Sequence, residues 1–194
     1  MRKIPSEYEN PIDNVLLDIT ERVQKYFYEN NFTPNHITSL SIICCMFSVI
    51  LILKDYYILG GILFFISYFF DCVDGSIART YNMTSRFGDY YDHFGDLFKF
   101  IMILTVLFLK NKDKFIKMSP LFGILAIFLF AQLGCQEIYF NNSKYGFPVD
   151  TLHILTYMCP ANKENINDVI KYTRFLGCGT FNLFLTLFIM SYKI

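Results

Sequence analysis

Four aspartates flank a short turn, at spacings that would put two of them on one face of each neighbouring helix. Residues 71–79 read Asp-Cys-Val-Asp-Gly-Ser-Ile-Ala-Arg, and residues 88–96 read Gly-Asp-Tyr-Tyr-Asp-His-Phe-Gly-Asp. In helices, Asp71 and Asp74 are i,i+3 neighbours and Asp92 and Asp96 are i,i+4 neighbours. A tight turn brings the second helix back antiparallel to the first, so the two faces can oppose each other. Converging carboxylates repel strongly where the dielectric is low, and beside apolar segments they are costly unless compensated. Mg²⁺ or Mn²⁺, which take oxygen ligands, are the natural compensation. Two such ions sharing carboxylates are a recurrent device for displacement at phosphorus. The plain alternative is a solvated acidic loop. Helical phase on both sides of the turn, next to apolar spans, argues against it.

The small residues share this phase. Gly75, Ala78 and Gly88 lie beside the aspartates, where a missing or short side chain opens room for something flat such as a nucleotide. Close helix packing is the alternative use of small residues in membranes. Arg79 supplies a fixed cationic fork suited to phosphate. His93 follows Asp92 but points away around the helix and is read as an ordinary polar position. Asp89 is read as solvated, and Cys72 as a bystander.

The rest of the chain must position this cluster. It has 194 residues, 54% hydrophobic and 19% aromatic, with a mean hydropathy of +0.35, too apolar for an ordinary soluble domain. Seventeen basic residues balance seventeen acidic ones, so nothing suggests a nucleic-acid partner. The six cysteines show no Cys-x-x-Cys pair and are read as packing or lipid-facing residues, neither metal ligands nor a disulfide framework. No signal peptide is visible.

The expected fold is all-α: a polytopic transmembrane helical bundle preceded by an N-terminal amphipathic surface helix. Residues 1–33 form the amphipathic juxtamembrane segment and 34–194 the membrane domain. Asn10-Pro11 reads as a helix start. Ile12, Val15, Leu16, Ile19, Val23, Tyr26 and Phe27 then recur at helical spacing, for a bilayer surface or for the protein's own bundle. Five spans are clear, at 37–53, 56–70, 88–109, 118–140 and 175–192. The stretch 141–170 leaves room for a sixth, although its apolar piece, Val149–Cys159, reads better as re-entrant or interfacial. Basic residues divide between the two sides, so the positive-inside rule gives a split vote.

At the acidic segment the sequence resembles the CDP-alcohol phosphotransferase family. That signature is Asp-x-x-Asp-Gly-x-x-Ala-Arg, about eight residues, then Gly-x-x-x-Asp-x-x-x-Asp. All eight fixed positions are matched, by Asp71, Asp74, Gly75, Ala78, Arg79, Gly88, Asp92 and Asp96. Pro34-Asn35-His36-Ile37-Thr38 adds a weaker likeness at the start of the first span. The resemblance covers the C-terminal third poorly, and the family usually has six spans.

The resemblance implies an integral, multi-pass membrane enzyme of phospholipid biosynthesis. Such enzymes move a substituted phosphate from a CDP-alcohol to the hydroxyl of a second alcohol and release CMP. It implies Asp71, Asp74 and Asp92 as ligands of Mg²⁺ or Mn²⁺, expected as two ions. Asp96 would be the general base and touch a metal as well. Gly75, Ala78, Arg79 and Gly88 would shape the cytidine diphosphate site. The partners implied are the CDP-alcohol donor, the alcohol acceptor and the bilayer, with a homodimer kept open as the assembly. Cytidine nucleotides are cytosolic, so the acidic turn is expected to face the cytoplasm.

Two branches fit in part. Asp92-His93-x-x-Asp96 looks like the aminoalcohol branch, which uses CDP-choline or CDP-ethanolamine and diacylglycerol. Ser85-Arg86-Phe87-Gly88, a faint likeness from Tyr172 onward and the short chain look like the phosphatidylinositol synthase branch, which uses CDP-diacylglycerol. The second is favoured. From another class, a membrane cation-binding or transport protein could place carboxylates in its spans, but Arg79 would oppose a cation pathway.

Overall fold

The computed structural model describes residues 2–142, 153–162 and 164–192. Among them there is no strand. Seven α-helices follow one another: α1 Pro11–Glu29, α2 Pro34–Leu53, α3 Tyr57–Thr80, α4 Arg86–Lys110, α5 Lys112–Asn142, α6 Ile166–Thr173 and α7 Cys178–Met190. Short 3₁₀ helices occupy His153–Met158 and Arg174–Leu176. The chain divides into two compact units. One holds Leu16–Pro120 and the residues from Asn182 on, the other Arg2–Val15 and Leu121–Phe181.

In the first unit, local chemistry ends each helix sharply. α1, α2 and α3 all finish with a residue at positive φ: Asn31 (61°), Asp55 (65°) and Asn82 (53°). In each case the next N–H reaches back to a carbonyl of the last turn, Phe32 to Phe27, Tyr56 to Leu51 and Met83 to Ala78. This is the closure that satisfies orphaned helix carbonyls, and Asn and Asp tolerate the left-handed conformation it needs. At the other ends, Thr33 caps α2 in a reciprocal capping box with His36, and Ser85 caps α4 by accepting from the Gly88 N–H.

The packing follows membrane logic. Thr38, Ser41, Cys45, Ser48 and Ile52 form the buried seam of α2, while Ile43, Met46, Phe47 and Ile50 are exposed. Small and hydroxyl residues face the neighbouring helices and large apolar ones face outward, as in lipid. Ser41 Oγ donates to the Ser67 carbonyl and Ser67 Oγ to the Ser41 carbonyl, each at 2.8 Å. Ser48 Oγ donates to the Gly60 carbonyl at 2.7 Å. A Cβ on Gly60 would lie 2.8 Å from Ile52 Cγ1, so glycine is what admits this approach of α3 to α2. Gly95 does the same for α4, where a Cβ would meet Ile42 Cδ1 at 3.1 Å.

Helix α1 has three faces. Leu16, Leu17, Thr20 and Gln24 are buried, and Gln24 Oε1 accepts from Ser76 Oγ at 2.8 Å and Thr80 Oγ1 at 3.2 Å. Val15, Ile19 and Tyr26 form an exposed apolar stripe, and Asp18, Glu21 and Lys25 are exposed on a third face. Of the two expected uses of this helix, packing against the bundle is present. Its buried face is more polar than the apolar periodicity suggests.

Among the described residues, four segments are long and apolar enough to cross a membrane: Pro34–Leu53, Tyr57–Thr80, Lys112–Phe140 and Ile166–Met190. Four of the five expected spans are therefore supported. The last one begins earlier than expected, because α6 and the following 3₁₀ turn join α7. Helix α4 is equally long, but Asp89, Asp92 and Asp96 in its first half and Lys99 just past its middle keep it out of this group. The first four residues of the stretch read as re-entrant, 149–152, lie outside the described residues; the other seven form the 3₁₀ helix His153–Met158 and Cys159.

The second unit is stapled. Asn10 Oδ1 accepts from the Ile12 N–H at 2.9 Å, the expected cap of α1, and Asn10 Nδ2 donates to Thr180 Oγ1 at 2.8 Å. Asp13 Oδ2 accepts from the Gly179 N–H in the first turn of α7 at 3.1 Å. Lys3 pairs with the buried Glu137. Cys135 and Cys159 form a disulfide, which corrects the expectation that no cysteine pairs. Twenty-four residues separate the two, and no spacing motif marks a pair that tertiary approach alone creates. The same approach rests the Leu155 carbonyl on Gly134, where a Cβ would sit 2.0 Å from that oxygen. Gly134→Ala is therefore expected to cost about 1–3 kcal/mol of stability and to raise the free-thiol count. Melting curves and thiol titration check this, and a variant that matches wild type in both would show that the segment does not rest there.

Candidate functional site

The last turns of α3 and the first half of α4 carry the signature residues. Asp71, Asp74 and Asp92 each offer one carboxylate oxygen, and these atoms lie within 4.8 Å of one another. At that separation and an effective dielectric of about 20, each like-charged pair costs about 3 kcal/mol. Asp74 is 3% exposed, and its Oδ2 accepts from Thr38 Oγ1 at 2.6 Å. Asp92 Oδ1 is buried without a hydrogen-bond partner, a deficit of about 1–3 kcal/mol. An all-oxygen donor set, repulsion that is only partly relieved and an unmatched buried acceptor together fit a divalent cation.

Asp96 stands apart from the three. Its Oδ1 pairs with Lys99 Nζ at 2.8 Å, and its side chain is 49% exposed. The same Nζ donates to Asp71 Oδ1 at 2.5 Å and to Ser41 Oγ at 2.9 Å. The structure thus brings all four expected carboxylates together, but in two roles: three converge, and the fourth lies against Asp71, with Lys99 bridging the pair.

The small residues divide as well. A Cβ on Gly75 would first meet the Arg79 guanidinium, with Nη1 at 3.1 Å. Gly75 therefore gives room to a cationic head. A Cβ on Gly88 would meet Ser85 Oγ at 3.0 Å and Asn35 Oδ1 at 3.2 Å. Ala78 is half-buried, and its carbonyl closes the end of α3. His93 Nδ1 lies 2.7 Å from the Asp89 carbonyl and 3.5 Å from Asp89 Oδ1, so it belongs to α4's own surface. His36 serves the capping box.

Sequence reasoning missed Thr38, Ser41 and Lys99. For Lys99 a signal existed: it lies i+3 from Asp96 and i+7 from Asp92, on the same helical face. Thr38 closes the weaker likeness Pro34-Asn35-His36-Ile37-Thr38 but was given no role there, and Ser41 carried no signal, because hydroxyls in an apolar helix read as packing residues.

The family model of CDP-alcohol phosphatidyltransferase matches residues 31–189 of this sequence. The chain belongs to the CDP-alcohol phosphatidyltransferase family. The match takes in α2, α3 and α4 with the whole aspartate cluster, and reaches the last turn of α7. Among curated proteins, the chain is similar to a "Bifunctional IPC transferase and DIPP synthase" of Aquifex aeolicus (strain VF5). The two are 32% identical over 114 residues, which is 58% of this chain and 26% of that protein. The chain thus matches about a quarter of that relative's length. In this member of the CDP-alcohol phosphatidyltransferase family, Lys99 sits among the signature carboxylates.

Proposed function

We propose that this protein transfers a substituted phosphate from a CDP-alcohol to the hydroxyl of a second alcohol in phospholipid biosynthesis, releasing CMP, with CDP-diacylglycerol as the donor. The observation that carries this reading is the convergence of Asp71, Asp74 and Asp92, with Arg79 lying over Gly75 one turn away. Asp71, Asp74 and Asp92 would hold Mg²⁺ or Mn²⁺, as two ions with help from Asp96. When bound, these ions supply positive charge to the diphosphate and to the departing CMP. Arg79 presents its planar fork to phosphate oxygens, and Gly75, Ala78 and Gly88 leave the space the nucleotide fills. Asp96 accepts the proton of the attacking hydroxyl. The acceptor oxygen bonds to the phosphorus that carries the alcohol of the donor, and the bond from that phosphorus to the CMP oxygen breaks.

Membrane insertion supports a lipid substrate. Helix α4 begins beside the start of α2, where Gly88 meets Asn35. It ends beside the last turn of α2, where Lys110 Nζ donates to the Leu53 carbonyl at 3.2 Å. It therefore runs the length of a helix able to span and acts as the fifth span, its acidic half at the cytoplasmic surface. Residues 34–194 form the membrane domain, and α1 lies along the interface with Val15, Ile19 and Tyr26 towards lipid. The relative's name contains a transferase and a synthase, which agrees with group transfer.

Asp92-His93-x-x-Asp96 favours an aminoalcohol donor instead, but His93 turns to Asp89 and away from the carboxylates. A cation-transport reading must place both Arg79 and Lys99 beside the ion path. The deciding experiment supplies purified protein and Mn²⁺ with either CDP-diacylglycerol or CDP-choline plus diacylglycerol, and a pool of small alcohols. CMP release and lipid mass spectrometry are followed. A new phospholipid is expected from CDP-diacylglycerol. Product from CDP-choline would move the protein to the aminoalcohol branch, and no CMP from either donor would overturn the transferase reading.

A further inference from the structure

The aspartate cluster contains a cation of its own. Lys99 lies in the apolar half of α4 and is 6% exposed. An ammonium buried in such a segment persists only where its donors are met. Its three donors face three acceptors: Asp71 Oδ1 at 2.5 Å, Asp96 Oδ1 at 2.8 Å and Ser41 Oγ at 2.9 Å. Ser41 gives its own hydrogen to the Ser67 carbonyl, which leaves its lone pairs free for Lys99. The three arms come from α2, α3 and α4, so one nitrogen ties three helices together at the site.

Two consequences follow from this geometry. Asp96 is half exposed and outside the converging triad, and as a free side chain it would sample several rotamers. Lys99 fixes it against Asp71, which itself belongs to the triad. The distance between the proton acceptor and the triad is therefore set by the chain. The cluster also carries a permanent counter-charge, so its four carboxylates are partly compensated before any divalent ion arrives.

We propose that Lys99 is a positioning residue that locks Asp96 to the metal triad and serves as the resident counter-charge of the metal-free site. This rests on the reading of Asp71, Asp74 and Asp92 as metal ligands. It separates Lys99 from an ordinary structural ion pair, because its contribution to stability depends on whether the ion is bound.

The test uses the full-length protein in detergent with two variants, Lys99→Met and Lys99→Arg. Melting is recorded in EDTA and in saturating Mn²⁺, Mn²⁺ binding is followed by electron paramagnetic resonance, and kcat and donor KM are measured. In EDTA, Lys99→Met is expected to melt about 10 °C below wild type, and Mn²⁺ should recover most of that loss. Its kcat should fall about 100-fold, with donor KM within about threefold of wild type. Lys99→Arg keeps the charge but moves it. It should melt close to wild type in EDTA while kcat falls at least about tenfold. The same loss of melting temperature with and without Mn²⁺ would make Lys99 merely structural and overturn the proposal. If Lys99→Met does not fold, Lys99→Arg decides: a wild-type kcat there overturns the positioning role. A wild-type protein that neither binds Mn²⁺ nor is stabilised by it would instead overturn the metal reading itself, a result distinct from failure of the Lys99 variants.

Discussion

Asp96→Asn is expected to lower turnover about 1000-fold while leaving the apparent donor affinity within about threefold of wild type. The substitution keeps the shape of the side chain and removes its ability to take a proton. Asp96 lies outside the set of three oxygens that converge within 4.8 Å, so the triad and Arg79 remain in place, and an asparagine oxygen can still assist a metal as a neutral ligand. Lys99 keeps its bonds to Asp71 and Ser41, so the variant should fold and still bind Mn²⁺. CMP release gives the turnover, and titration with the CDP-alcohol gives the affinity. Turnover within about tenfold of wild type would remove Asp96 as the general base. An equal fall in turnover and donor affinity would place it among the donor's ligands instead.

Removal of divalent metal should have an effect as large. In excess EDTA, CMP release is expected to drop at least about 1000-fold, roughly 4 kcal/mol of transition-state stabilisation. Mg²⁺ or Mn²⁺ should restore it. The physical basis is the crowding of Asp71, Asp74 and Asp92 and the buried Asp92 Oδ1, which has no hydrogen-bond partner among the described residues. Thr38 and Lys99 relieve Asp74 and Asp71 in part, which leaves Asp92 as the ligand most dependent on the ion. Binding should also stabilise the fold. At a metal concentration of about 100 times Kd, linkage gives about 2.7 kcal/mol, or about 5–10 °C in Tm for a chain of this size. Full activity in EDTA, or a melting temperature indifferent to Mn²⁺, would refute a metal-dependent mechanism.

Much of this site could be read along the chain, because its geometry is local. Asp71 with Asp74, Asp92 with Asp96, and Gly75 with Arg79 are placed by helical pitch, and the turn between the pairs is short. Asn82 at the end of α3 and Ser85 at the start of α4 have the side chains such ends require. Apolar runs announced the spans for the same reason, since crossing a bilayer is a matter of length and composition. Where composition is mixed, as in α4, the rule loses its force.

What escaped such reading lies between elements distant in the sequence. Thr38 reaches Asp74 across 36 residues, Ser41 reaches Lys99 across 58, and Lys99 reaches Asp71 across 28. Cys135 finds Cys159 across 24. On α1, the apolar stripe Val15, Ile19 and Tyr26 is the louder periodic signal, yet Gln24, with Leu16, Leu17 and Thr20, is on the buried side. Helical periodicity states which residues share a face, and that follows from backbone pitch alone. Which faces meet depends on how closely helices approach, and Gly60 and Gly95 set that distance through the side chains they lack. The chain's local order therefore specified the carboxylates and their spacing. The packing of α2, α3 and α4 separated three of them as a converging set and assigned the fourth to a buried lysine.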